Sequence, residues 1–140
     1  MSLSLGGMFS EYHRVVRQPR CRIALKATSM PDVSTTSACF YLRTPDAHRV
    51  HVRLSGPACG EPWLVFHGGP GSGCSASMAA WFDPQLHRVV MPDQRGAGRS
   101  TPAGGLRRNN VGALLADLEQ LRRTLGSERW GLGIRHSDRW

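Results

Sequence analysis

Two short segments, the apolar residues 63–66 (Trp-Leu-Val-Phe) and residues 87–91 (His-Arg-Val-Val-Met), which read as a second buried strand, each empty directly into a glycine-rich segment. Residues 67–73 read His-Gly-Gly-Pro-Gly-Ser-Gly, and residues 92–102 read Pro-Asp-Gln-Arg-Gly-Ala-Gly-Arg-Ser-Thr-Pro. A strand that is apolar on both sides belongs inside a parallel sheet, where helices cover each face. Glycines placed directly after such a strand let the chain turn sharply at its carboxyl end, where the ligand sites of α/β sheets gather. A strand-then-glycine pattern that occurs twice therefore predicts an α/β architecture with its chemistry in the two loops.

The flanking segments agree. Residues 38–43 and 48–54 read as the arms of an antiparallel hairpin around a turn at Thr44, Pro45, Asp46 and Ala47. The second arm alternates, with Val50, Val52 and Leu54 on one face and Arg49, His51 and Arg53 on the other. Residues 55–62 are turn-rich. Residues 75–82 have a helix-compatible composition that Asp83 and Pro84 would end, because proline disfavours the helical conformation of the residue before it. A longer helix is expected from Asn109 or Asn110 as N-cap, with Val111, Leu114, Leu115, Leu118, Leu121 and Leu125 on one stripe and Gly126 as the stop. Glu119 and Arg123 would form an i,i+4 pair on its polar face.

A chain of 140 residues has the length of one domain, and 40% hydrophobic with 20% charged residues excludes disorder throughout. The longest wholly apolar runs fall far short of a bilayer span, and no secretory signal pattern opens the chain. The net charge of +8 raises the possibility of nucleic-acid binding. Half of that excess lies in residues 1–29, and no basic stripe interleaved with aromatics follows, so neither nucleic acid nor membrane is an expected partner. Cys21, Cys39, Cys59 and Cys74 show neither CxxC pairing nor histidine partners at zinc spacing, and read as scattered buried thiols of a cytoplasmic protein. No metal site is expected. Residues 1–30, rich in Ser, Gly and Arg, read as a disordered basic leader, a transit peptide, or the product of a misassigned start with Met30 as the first residue. Residues 31–130 form the expected folded part, and residues 131–140 a divergent tail.

The glycine loops do not fit nucleotides. Gly68 and Gly73 have P-loop spacing, but Cys74 stands where lysine must reach the terminal phosphates. The GxGxxG pattern fails at Cys74 in the first loop and at Thr101 in the second, so no cofactor is expected. An oxyanion loop fits better. Glycines there aim backbone N–H groups into a cavity without a side chain blocking the approach, and fixed donors stabilise charge that develops on a substrate oxygen.

With both loops in place, the chain resembles the proline iminopeptidase family of α/β-hydrolases, serine peptidases that release an N-terminal proline from peptides. The resemblance rests on residues 67–73, 82–84, 88–90, 93–102 and 117–122, and spans residues 38–130. It implies the N-terminal part of an α/β-hydrolase fold: an antiparallel hairpin, then parallel strands with helices, incomplete. It also implies that His67, Gly68, Gly69, Pro70 and Gly71 form the oxyanion-hole loop, with a backbone N–H of Gly68 or Gly69 as donor. His67 would shape that loop rather than serve as the triad base, which comes later in the chain of such folds. Asp93, Gln94, Arg95, Gly96, Gly98 and Arg99 would form a structural loop beside the site, Asp93 accepting backbone N–H bonds and Arg95 and Arg99 pairing with carboxylates or carbonyls.

A serine hydrolase also needs a nucleophile on a GxSxG elbow, then an acid and a histidine. These 140 residues contain no GxSxG. His136, Ser137 and Asp138 are adjacent in the chain and cannot present the geometry of a triad. The expectation is a gene product cut short or frame-shifted after about residue 130. It would lack catalytic residues and the cap domain that selects proline, and would be inactive, whereas full-length relatives act on peptides with an N-terminal proline. Another α/β-hydrolase, of esterase or epoxide hydrolase type, and a small non-catalytic binding protein built on the half-fold are the alternatives.

Overall fold

The computed structural model describes residues 37–68 and 71–134. Strands β1 (Ala38–Arg43), β2 (Arg49–Ser55), β3 (Glu61–Phe66), β4 (His87–Pro92) and β5 (Gly131–Ile134) form one sheet in the order β1-β2-β4-β3-β5. The hairpin pairs β1 with β2 antiparallel, and its turn closes through the Thr44 N–H donating to the His48 carbonyl at 3.0 Å. β2 runs antiparallel to β4, and β3 lies parallel between β4 and β5. The glycine loops after β3 and β4 thus leave the sheet side by side at the same end.

One face of the sheet carries Leu42, Val50, Val52, Leu54, Leu64 and Val90, which pack against Leu118, Leu121 and Leu125 of helix α1 (Val111–Thr124). Val65, Val89 and Met91 point to the other face, where Met78 covers them. Asn110 is the N-cap of α1, its side chain accepting from the Ala113 N–H at 2.9 Å, and Gly126 leaves the helix at φ +64°. The expected apolar stripe is covered in part: Leu114 packs against the core, but Val111 and Leu115 are 72% and 60% exposed. Glu119 meets Arg123 at 2.9 Å as its spacing predicts, and Arg122 at 2.7 Å as well.

Three expectations are corrected. Residues 75–82 do not form an α-helix; Ala76–Trp81 is a 3₁₀ helix whose Ser75 side chain bonds Ser77 Oγ and caps no backbone N–H. Between the left-handed Gly73 and Pro84 there is room for fewer than three turns, a length at which an α-helix is marginal and the tighter 3₁₀ form is common. The tail expected from residue 131 begins instead with β5, which pairs along β3 from Trp63 to Phe66. The cysteines are not four buried free thiols: Cys39 and Cys74 are free, Cys39 is exposed, and Cys59 is disulfide-bonded. No helix among the described residues is long and apolar enough to cross a membrane. The leader at 1–30 and residues 135–140 lie outside the described residues.

Candidate active site

His67 and Gly68 directly follow β3, and Asp93 follows β4, so the two glycine loops begin on neighbouring strands. His67 is buried, and its Nε2 accepts from the Gln94 N–H at 3.0 Å. A nitrogen that accepts from a backbone N–H carries no proton, so the ring proton lies on Nδ1, facing Ser72 Oγ at 3.3 Å. That hydroxyl in turn donates to the Gly68 carbonyl at 2.9 Å, and the Gln94 side-chain amide donates to the His67 carbonyl at 3.2 Å. With both ring nitrogens engaged, His67 braces one loop against the other and has no free nitrogen for proton transfer. Gly69 and Pro70 lie outside the described residues, and Gly71 has φ +87°.

Asp93 holds the far end of the same loop. Its Oδ1 accepts from the Cys74 N–H at 2.6 Å, and its Oδ2 from the Arg99 N–H at 3.0 Å. His51 Nδ1 lies 3.0 Å from the same Oδ2. The carboxylate is buried, and two glycines make room for it. At Gly98 (φ +51°) a Cβ would stand 2.5 Å from Asp93 Oδ2, and at Gly73 (φ +74°) 2.7 Å from the Gly98 Cα. The loops therefore touch glycine to glycine over one carboxylate, which any side chain at either position would displace. Cys74 is no replacement nucleophile. Burial, with the Asp93 carboxylate nearby, pushes its thiol up to about 12, and its Sγ donates to the carbonyls of Pro92 and Val65.

Arg95 points away from these loops into a buried ionic cluster. Its Nε and one Nη reach the two oxygens of Asp117 on α1 at 2.5 and 2.7 Å. The other Nη donates to Asp46 at 2.5 Å and to the Arg108 carbonyl at 3.1 Å. The Arg95 guanidinium, joined by Thr44 Oγ, holds the Asp46 carboxyl far below the usual carboxylate range, and Asp117 and Asp46 raise Arg95 further. One side chain thus ties the second loop to α1 and to the hairpin turn. Arg99 differs from expectation: its side chain is exposed and joins no ion pair among the described residues, and only its backbone holds the loop. Gly96 turns at φ +73°, and the Asn109 side chain ties the Arg95 carbonyl to that of Gly105 at 2.9 and 3.0 Å.

The sequence reading missed His51, Ser100, Asp46 and Asp117 as partners of these loops. The alternation of β2 put His51 opposite Val50 and Val52, yet a partner 42 residues away leaves no local pattern. Among the described residues no group of His, Cys, Asp and Glu is arranged to hold a metal ion.

Parallel strands that end in two interlocked glycine loops, with a helix packed on one face, make an α/β architecture whose loops gather at the carboxyl ends of the strands. Residues 62–133 match the family described as the alpha/beta hydrolase fold, and the chain belongs to that family. Within it, 85 residues are 48% identical to the proline iminopeptidase of Xylella fastidiosa, covering 61% of this chain and 27% of that protein. The chain thus spans about a quarter of the length of the curated relatives it matches. A proline iminopeptidase-related protein from Thermus thermophilus superposes with a TM-score of 0.61 at 33% identity, over 71% of this chain and 36% of the other. Epoxide hydrolase A of Mycobacterium thermoresistibile superposes with a TM-score of 0.56 at 24% identity, over 71% and 31% of the two chains, a likeness of fold alone.

Proposed function

We propose that this chain is the amino-terminal portion of a proline iminopeptidase-like serine hydrolase, and that residues 67–71 form its oxyanion loop. The observation that carries this reading is the double pinning of that loop, by Gln94 on His67 at its start and by Asp93 on Cys74 at its end. A substrate carbonyl becomes an alkoxide when a nucleophile attacks it. Donors fixed beforehand at the strand's end stabilise that charge without reorganising, and each is worth about 2.7–4 kcal/mol. In this reading the donor is a backbone N–H of Gly68 or Gly69, and the loop at 93–99 is its scaffold. The substrate would be a peptide with an N-terminal proline, as the names of the relatives suggest. Nucleophile, acid and base are supplied from outside these 140 residues, which contain no GxSxG elbow, so the chain alone does not turn over substrate. The epoxide hydrolase reading has structural neighbours of lower identity behind it, and the esterase reading has only the shared fold.

The test is a chimera in which this chain's matching segment replaces that of the Xylella fastidiosa proline iminopeptidase. Gly69→Pro removes one N–H and should lower kcat on a proline aryl-amide by about 10²-fold or more with folding intact. A folded Gly69→Pro chimera with an unchanged kcat rejects Gly69 as the donor. The same result for a variant that disables the Gly68 N–H as well rejects the oxyanion reading.

A further inference from the structure

We propose that His51 is a positioning residue for the oxyanion loop, acting through Asp93 on the Cys74 and Arg99 N–H groups that close the two glycine loops. The proposal rests on the reading of residues 67–71 given above.

Asp93 receives two backbone donors, one from each loop, on different oxygens. Those donors belong to the segments being positioned, so they cannot by themselves define where the carboxylate sits. The third donor is different in kind. His51 stands in β2, paired to β1 on one side and adjoining β4 on the other, and it is 4% exposed. Its backbone is tied to the second loop twice. The Asp93 N–H donates to the His51 carbonyl at 2.8 Å, and the His51 N–H donates to Ser100 Oγ at 2.9 Å, whose hydroxyl donates to the Asp93 carbonyl at 2.6 Å. The Tyr41 ring packs edge-on against the imidazole with centroids 5.3 Å apart. A carboxylate only accepts, so Nδ1 is the donor to Oδ2. That bond fixes the carboxylate's rotation about Cβ–Cγ from the rigid sheet, and both loop ends then register against it. Hydrogen bonds to a charged acceptor are the strong ones, which suits a single side chain holding two loops.

The test follows amide exchange at Cys74 and Arg99 in the 140-residue chain, with Leu118 and Leu121 of α1 as internal controls. His51→Asn keeps a donor near the position of Nδ1, and His51→Phe keeps a ring but no donor. The expected result is exchange faster by about tenfold or more at Cys74 and Arg99 in His51→Phe, near wild-type exchange there in His51→Asn, and unchanged controls in both. Wild-type protection of both amides in His51→Phe, or equal loss in both variants, overturns the proposal. Should His51→Phe not fold, ¹⁵N-histidine spectra of the wild-type chain decide: an Nδ1–H on His51 supports the proposal, and an unprotonated Nδ1 overturns it. An inactive chimera whose Cys74 amide remains protected would reject the oxyanion reading, and with it the catalytic purpose of the contact, while the positioning of the Cys74 and Arg99 amides by His51 would stand.

Discussion

Gly98 and Gly104 both have positive φ, +51° and +64°, yet they stand in opposite surroundings. A Cβ at Gly104 meets nothing within 4 Å, so Gly104→Ala bears only the left-handed backbone cost of about 1–2 kcal/mol. At Gly98 the same methyl would meet both Asp93 oxygens and its Cγ within 2.9 Å. Moving that carboxylate leaves the Cys74 and Arg99 amides and the His51 ring without their acceptor, at about 1–3 kcal/mol for each buried group. Urea unfolding should therefore show Gly98→Ala to be the costlier by about 2 kcal/mol or more, and equal costs would contradict the account. Asp46 makes a prediction in pH. Its folded carboxyl lies below the ordinary 3.8, because Arg95 and Thr44 favour the charged form. A depressed carboxyl contributes stability that is fully present well above 3.8 and is lost as pH falls below it. Glu119 is lowered to about 2 by Arg122 and Arg123, but it is half exposed and solvent screens it. Asp46→Asn should thus flatten the fall in thermal stability between about pH 5 and 2.5 far more than Glu119→Gln does. Equal flattening would place the acid sensitivity elsewhere.

The elements differ in how well the sequence announces them. Helix α1 has a leucine stripe, a capping asparagine and a stop glycine, and the structure places it at Val111–Thr124. β2 alternates visibly, and β3 and β4 declare themselves as short buried segments that lead into glycine-rich loops. β5 has no such signal: four residues, two of them glycine, have low strand propensity, and they form a strand only because β3 offers an unpaired edge. The loop partners were illegible for a related reason. Arg95 reaches Asp46 across 49 residues and Asp117 across 22, and separations of that length are set by topology rather than by any local period. β5 also moves the exposed edge of the sheet. Trp63 to Phe66 would be the bare edge if the folded chain stopped at residue 130. Among the described residues the edge is instead β5, with Leu132 and Ile134 58% and 73% exposed and no charge or proline among its four residues. The 140-residue chain should therefore self-associate as its concentration rises. Replacing Leu132 and Ile134 by lysine should shift size-exclusion elution towards the monomer. A wild-type chain that elutes as a monomer at every concentration would show that this edge is not adhesive.

Across the whole molecule, the sheet brings two glycine loops to one end and locks them together over Asp93. The chain matches about a quarter of its proline iminopeptidase relatives, and that quarter contains the two glycine loops, the first read above as the oxyanion loop, but no GxSxG. In the reading proposed above, residues 67–71 serve hydrolysis and the attacking group is not among these 140 residues. Release of proline from a proline aryl-amide tests it most directly, measured side by side on the purified 140-residue chain and on the chimera with the Xylella fastidiosa relative. The account predicts no turnover above the uncatalysed rate for the chain and clear turnover for the chimera. Turnover by the chain that is lost on replacing His136 or Ser137, or a folded chimera that releases no proline, would contradict it.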